Sequence, residues 1–477
     1  LSTDLALQAD RAAAQRLALR LAVGAASERV ALSYPRVDLD QGRPRVPSFY
    51  ALEILRAAEG HLPGFDELAR RAAGESRARL GWPAPDNPAE AIDAAEFDLA
   101  QLDRLLSADP AATTGAAHYL LGANPHLGRA LRARARRWIR RWTPNDGLVD
   151  PNEGERTALA RHQLAARSYS ATALQHFAAC PYRFFLQAII RLEPREEIEA
   201  LEAIDPLTRG ALYHEVQFET LTALRAAALL PVRAGNLESG YAAVEAQLMA
   251  VAARYHDELA PAIERVWLDG LESIRADLRE WMRRMTDDPE AFCPERFELS
   301  FGLSDRAQAD PASVAAAVPL AAGINLRGSI DLVERGPDGA LRVTDHKTGR
   351  VRAERNLIIG GGKTLQPALY ALAAERMLAE PVSSGRLYYC TAAGNYEERI
   401  VPLDGAARAA IAGLARVVGA ALEAGFMPAA PGDGECQYCD YRPVCGPYEQ
   451  MRWTQFKNVT AGAQAGIADL TRLREMP

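Results

Sequence analysis

The sequence predicts an α/β module, a small mixed sheet flanked by helices, preceded by a mostly helical stretch. Five strand-like runs gather in the second half, at Arg296–Leu303, Asn325–Glu334, Leu341–His346, Arg386–Cys390 and Glu397–Val401. Turn formers such as Gly336-Pro337-Asp338-Gly339 punctuate them. Helical spacing fills the gaps at 366–380 and 406–424, and precedes the strands at 171–190, 208–227 and 240–285. Residues 1 to about 165 are rich in Ala, Arg and Leu, with one buried strand expected at Val30–Tyr34 and a helix at Phe49–Glu59. Pro and Gly break the pattern around Gly81–Pro88, and Asn145-Asp146-Gly147 is a turn signal. The expected domains are a helical portion over 1–165, the sheet-bearing module over 166–450, and a C-terminal tail over 451–477.

The chain has 477 residues, 48% hydrophobic and 25% charged. That is ordinary globular composition, enough for roughly two or three domains with sizeable cores. No window approaches the roughly eighteen uninterrupted apolar residues of a membrane span. Leu1-Ser2-Thr3-Asp4 lacks the basic and apolar regions of a signal peptide. The chain therefore reads as soluble and cytoplasmic, with no membrane partner, and the missing initiator Met suggests a piece of a longer protein. A net charge of −7 and a pI near 5.8 exclude whole-molecule basicity as an argument for nucleic acid, but leave a local basic groove open. Of 55 basic residues only Lys347, Lys363 and Lys457 are lysines. Lysine shifts its pKa readily and serves as a compact catalytic ammonium, where arginine does not.

The strands around Gly336–Gly339 carry the chemistry. One holds Gly328-Ser329-Ile330-Asp331 and the next Thr344-Asp345-His346-Lys347. As a hairpin they bring Asp331 and Asp345 together near one end of the sheet. Asp345 and Lys347 are two apart and so share a face. Two carboxylates and the main-chain carbonyl of His346 suit Mg²⁺ or Mn²⁺ as hard oxygen ligands. Lys347 would then position and help deprotonate an attacking water, or steady charge on a phosphate. The set suits metal-assisted phosphodiester hydrolysis. Taken alone, D-x-K is also the pattern of a surface ion pair on a hairpin. Its company is His214, on a helix in Gly210-Ala211-Leu212-Tyr213-His214, and Gln366 with Tyr370, four apart on one helical face.

The order G-x3-H, G-x-[IV]-D, D-x-K, Q-x3-Y resembles the PD-(D/E)XK nuclease superfamily, specifically its RecB/AddB-type exonuclease branch. The resemblance implies a restriction-endonuclease-like fold that cleaves DNA with Mg²⁺. It implies metal ligands at His214, Asp331 and Asp345, a catalytic lysine at Lys347, and a supporting role near the DNA backbone for Gln366 and Tyr370. Ile330 stands where the family has Pro, a departure that leaves the ligands untouched.

Six cysteines are too few for a disulfide scaffold at this length. Cys436, Cys439 and Cys445 form C-x2-C-x5-C, without a fourth local zinc ligand, since the last histidine is His346. The best remaining candidate is Cys180, in Cys180-Pro181-Tyr182-Arg183-Phe184-Phe185. Four thiolates can hold a [4Fe–4S] cluster. One cysteine upstream and three downstream of the Q-x3-Y helix is similar to the iron–sulfur staple of AddB-type nucleases. Cys293 and Cys390 read as ordinary structural thiols.

Gly360-Gly361-Gly362-Lys363-Thr364 imitates a phosphate loop, but G-x4-G-K-[ST] needs Gly at the position of Leu357. A flexible loop near the site is the expectation, with Lys363 touching DNA phosphate. The stretch from Arg129 to Trp142 holds seven arginines and no acid. Arg132, Arg136, Arg137, Arg140 and Trp138 are the candidates there for a single-stranded backbone with stacked bases. A solvated helix face, or arginine stems covering a core, is the other reading.

The first 165 residues more weakly resemble the end of the helicase-like region that precedes the nuclease in AddB-type subunits. The echoes are Val30–Arg36, Pro47-Ser48-Phe49, and Trp142 followed by Asn145-Asp146-Gly147-Leu148. The nuclease resemblance covers about 168–448. It implies a Mg²⁺-dependent DNA exonuclease module with a [4Fe–4S] cluster, working with an AddA-type helicase–nuclease partner in double-strand-break processing and recombinational repair. The alternative is a non-catalytic DNA-binding and structural module of such a complex.

Overall fold

The structure, a computed structural model, describes residues 8–30, 37–38, 43–44, 49–61, 67, 84–107, 122, 125–149, 152–193, 204–259, 261, 264–304, 308–446, 448–457 and 465–477. The chain forms two compact units. The first comprises Leu1–Leu120, Glu196–Glu202 and Ala260–Ile263. Its described residues include helices Gln8–Gly24, Phe49–Glu59 and Ala94–Ser107 and a short antiparallel pair, Val37–Asp38 with Arg43–Pro44. The helix expected at Phe49–Glu59 is there. The strand expected at Val30–Tyr34 and the Pro47-Ser48 echo fall almost wholly outside the described residues.

The second unit comprises Leu121–Arg195, Ala203–Leu259 and Glu264–Pro477. The arginine-rich helix α1 (Pro125–Arg137) therefore belongs with the sheet, upstream of the boundary expected at 165. The sheet has five strands: β1 (Cys293–Phe301), β2 (Gly328–Arg335), β3 (Leu341–Lys347), β4 (Val382–Tyr389) and β5 (Glu398–Pro402), in the order β5-β4-β3-β2-β1. Only β3 and β4 run parallel. A smaller mixed sheet joins Ser168–Tyr169, Asn325–Leu326 and Val318–Pro319.

Helices cover both faces. On one lie α2 (Ala171–Ala179), α6 (Gln366–Leu378), α7 (Gly405–Ala424) and α8 (Ala465–Arg474), packed with Leu299, Ile330, Val333, Leu341 and Val343 of the strands. On the other lie α3 (Pro206–Ala226), α4 (Leu237–Leu259) and α5 (Glu264–Met285), packed with Phe297, Leu332, Tyr388 and Cys390. The α7 helix is long and apolar enough to cross a membrane by length and composition. Its Ile411, Leu414, Val418 and Leu422 are buried in the first core, which accounts for that composition.

Local chemistry sets the boundaries. Ser170 caps α2 by accepting from the Ala173 N–H, and Asp205 caps α3 by accepting from Leu207 and Thr208. The helix expected unbroken over 171–190 stops at Cys180, which is extended (φ −163°) because Pro181 follows it. The long helix expected over 240–285 is two helices, with Pro261 between them.

The described parts of the tail, 451–457 and 465–477, are structured where the sequence offered no pattern. Ile467, Leu470 and Leu473 of α8 are buried, and Arg474 donates to the carbonyls of Ala178, Ala179 and Ala430. The same element explains the glycine run at 360–362. Gly361 is left-handed (φ 65°), and a Cβ there would stand 2.7 Å from the Arg474 carbonyl oxygen. Upstream of α8, Lys457 and Arg452 enclose Asp146 at 3.0 and 3.1 Å, and Arg452 and Arg137 share Glu449.

A second buried ion cluster sits in the sheet. Glu334 accepts from Arg342 twice at 3.0 Å, from Arg386 at 2.8 Å and from the Thr344 hydroxyl at 2.7 Å. Burial pushes its carboxyl up, but the two guanidiniums outweigh burial and hold it below its ordinary 4.5. A lowered folded pKa stabilises above 4.5, and that stabilisation fades as pH falls toward the folded value. Glu334→Gln should thus destabilise at neutral pH, with the gap to wild type narrowing on acidification in urea unfolding. A gap that stays constant with pH would show that Glu334 is not the acid-sensitive group.

Candidate active site

The hairpin turn holds Gly339 left-handed (φ 87°), and β2 pairs antiparallel with β3 up to Leu332 opposite Thr344. Beyond that pair a side chain replaces the backbone ladder: the His346 N–H donates to Asp331 Oδ2 at 2.6 Å. The strands part there and leave Asp331 and Asp345 facing the gap. Lys347, on the same strand as Asp345, places its Nζ 2.5 Å from Asp345 Oδ2. From α3, His214 brings Nδ1 to 3.5 Å from Asp331 Oδ2. Gln366 and Tyr370 on α6 complete one open cleft with His214, Asp331, Asp345, His346 and Lys347. Gln366 hydrogen-bonds the Tyr370 hydroxyl. The Tyr370 ring packs edge-on to Phe301 and over Gly328, where a Cβ would come within 3.0 Å of it. That contact is why glycine opens the G-x-[IV]-D run.

Glu298 was not among the residues singled out from the sequence. Among the described residues only His214, Glu298 and Asp331 bring three ligand atoms within 4.8 Å of one another. Glu298 is buried, accepts from the Ser329 hydroxyl at 2.7 Å, and has a left-handed backbone (φ 50°) inside β1. Such a backbone costs a side-chain-bearing residue roughly 1–3 kcal/mol. Its effect is visible in the packing. Phe297 and Leu299, two apart, pack in opposite cores, as do Leu332 and Ile330 across from them. Regular alternation would put each pair on one face. The available signal was a lone carboxylate amid the apolar Phe297, Leu299 and Phe301.

Charge crowds this cleft. Burial first, then Asp345 and Glu298, push the Asp331 carboxyl well above its ordinary value. Burial pulls Lys347 down, but Asp345 and then Asp331 more than offset it, and its pKa is raised. Clustered carboxylates beside an imidazole are a hard donor set, suited to Mg²⁺ or Mn²⁺, whose charge would relieve the repulsion.

The other singled-out residues lie elsewhere. Cys180, Cys436, Cys439 and Cys445 line one separate pocket. Cys390 is buried, with Sγ 3.6 Å from the Lys347 carbonyl oxygen. Arg132, Arg136, Arg140 and Trp138 are exposed around the end of α1. Arg137 is not available to a strand of DNA as expected: it is 3% exposed, pairs with Glu449 at 2.8 Å and lies over the Tyr182 ring. Lys363 is exposed but pairs with Glu435, next to Cys436, at 2.7 Å.

Asp331→Asn should weaken Mn²⁺ binding about tenfold or more in calorimetry, and Glu298→Gln should do likewise. Unchanged affinity in Glu298→Gln would remove Glu298 from the ligand set.

A search of curated proteins finds no match. The sequence profile of the PD-(D/E)XK nuclease superfamily matches residues 168–446. That span takes in the sheet, the cleft and the cysteine loop, more than half of the sequence, and the chain belongs to the PD-(D/E)XK nuclease superfamily.

Proposed function

We propose that this chain is a metal-dependent DNA exonuclease module. The observation that carries the reading is the cleft, where carboxylates, an imidazole and a lysine meet at the parting end of a hairpin. Asp331, Asp345, Glu298 and His214, with the main-chain carbonyl of His346, would hold Mg²⁺ or Mn²⁺. A bound divalent ion lowers the pKa of its water and steadies charge on a phosphate oxygen. Lys347 had two roles open to it. Its pairing with Asp345 favours the second, a charged ammonium where negative charge builds on the phosphate. Gln366 and Tyr370 face the same cleft and would brace the backbone beside the scissile bond. Water oxygen bonds to phosphorus as the P–O3′ bond breaks, and the departing oxygen takes a proton. The products are a 5′-phosphate and a 3′-hydroxyl.

The wider setting we infer is an AddAB-type helicase–nuclease in the cytoplasm, with an AddA-type partner, processing double-strand breaks for recombinational repair. The order of motifs, the split cysteine set and the helicase-like echoes upstream support it. In this reading Cys180, Cys436, Cys439 and Cys445 hold a [4Fe–4S] cluster. Their thiols share one pocket. Burial pushes the thiols of Cys180, Cys436 and Cys445 up, Cys436 to about 12, so these three would be protonated until a metal displaces the proton.

End-labelled single-stranded DNA with Mg²⁺ should be cut by the wild type, and Lys347→Ala should cut at least about a hundredfold more slowly. Intact DNA after incubation with metal-loaded wild type would overturn the nuclease reading. Anaerobically purified protein should carry four irons per chain, with iron–sulfur charge-transfer absorbance, and Cys436→Ser should lose both. Zinc at one per chain would replace the cluster with a mononuclear site.

A further inference from the structure

Away from the cleft, a second pocket gathers positive charge. Arg167, Arg191 and Arg327 line it with Ser170, Thr172 and Gln187. None of these arginines has an ion-pair partner among the described residues, and Glu193, the carboxylate on the rim, pairs with none of them.

Arg167 is anchored in the pocket wall, while Arg191 and Arg327 are exposed at its rim. Arg167 is half-buried, donates to the Ala188 carbonyl at 2.9 Å and lies 4.8 Å over the Tyr169 ring. The Arg327 N–H donates to the Tyr169 carbonyl at 2.9 Å, within the small sheet. Arg191 follows the short helical segment Phe185–Ile189 and its cap Ile190, on a left-handed backbone (φ 57°) that directs the chain out of the helix. Burial, and then the charges of Arg191 and Arg327, pull Arg167 down, so the guanidiniums feel one another. The N-terminus of α2, capped by Ser170, opens on the same pocket and adds its dipole.

Its position gives the charge a purpose. Arg327 immediately precedes β2, and Ser329, two residues on, already lines the catalytic cleft. At about 3.3 Å per residue, Arg327 and Asp331 lie about 13 Å apart along the strand, a few nucleotides of a bound chain. Guanidiniums that hold no carboxylate match phosphate, which they bind by paired N–H donors.

We propose that Arg167, Arg191 and Arg327 form a phosphate-binding subsite that grips the nucleic-acid strand a few nucleotides from the bond being cut. The proposal rests on the nuclease reading above. The phosphate is either an internal diester or a terminal monoester, and the substrate can distinguish them.

The test uses the whole chain and the double variant Arg191→Gln, Arg327→Gln, both exposed positions, with Arg265→Gln as an exposed control on α5. Affinity for labelled single-stranded oligonucleotides is read in Ca²⁺, and cleavage in Mg²⁺. The double variant should bind about tenfold more weakly and raise KM alike, with kcat within about twofold. Its plot of log affinity against log salt should flatten by about 0.7 to 1.4. Oligonucleotides with a 5′-phosphate, a 3′-phosphate or neither separate the sources. A loss confined to one phosphorylated end assigns the terminal group, and an equal loss on all three assigns the internal diester. If the double variant binds with wild-type affinity and salt slope while Lys347→Ala abolishes cleavage, the subsite is wrong and the nuclease reading stands. If the wild type neither binds nor cuts, both fail.

Discussion

Asp331, Asp345 and Glu298 are held together at one end of a sheet in spite of their mutual repulsion, and much of the second unit serves to keep them there. The Asp331 carboxylate takes a main-chain N–H that would otherwise belong to the strand ladder. Asp345 is answered by Lys347, and Glu298 by the Ser329 hydroxyl. Each of these contacts is local, but the residues come from three adjacent strands, so the sheet register must be right before any of them can form. The left-handed Glu298 is the strained member, and strain of that kind persists only where the surroundings over-determine it.

The surroundings do so from both faces. Behind the cleft, the His346 ring is buried among Trp281, Tyr388 and His214, which fixes the peptide that binds Asp331. In front, Tyr370 leans on the bare backbone of Gly328, and Gly385 lets the start of α6 approach β4 so closely that a Cβ would meet the Pro367 carbonyl at 2.0 Å. The Glu334 cluster lies three residues along β2 from Asp331 and staples β2, β3 and β4 by side chains as well as by backbone. Buried ion clusters of this kind give modest net stability, but losing one partner is costly because it leaves the other charge buried and unpaired.

The hairpin and its acids were legible because each depends on local spacing: a Gly-Pro-Asp-Gly turn, two strands, and D-x-K on one face. The helix pair Gln366 and Tyr370 was legible for the same reason. Glu298 was not, because its role arises from an irregular backbone that no periodicity encodes. Arg137 was misjudged because seven arginines in a row of residues look alike in sequence, while one is drawn inward by Glu449 and Tyr182 from distant segments. The breaks at Cys180 and near Pro261 were written in the prolines, and a helix-length apolar pattern outweighed them in the reading. The α8 segment is short and weakly patterned, and its burial depends on partners almost three hundred residues upstream.

The Asp146–Lys457 pair closes a wall of the second unit between residues 311 positions apart in sequence. Closure of so long a loop has an entropic cost that no local contact offsets in advance. The strands of the sheet, with their short hairpins, can pair well before that wall is in place. Folding of this unit should therefore end, rather than begin, with the burial of charge.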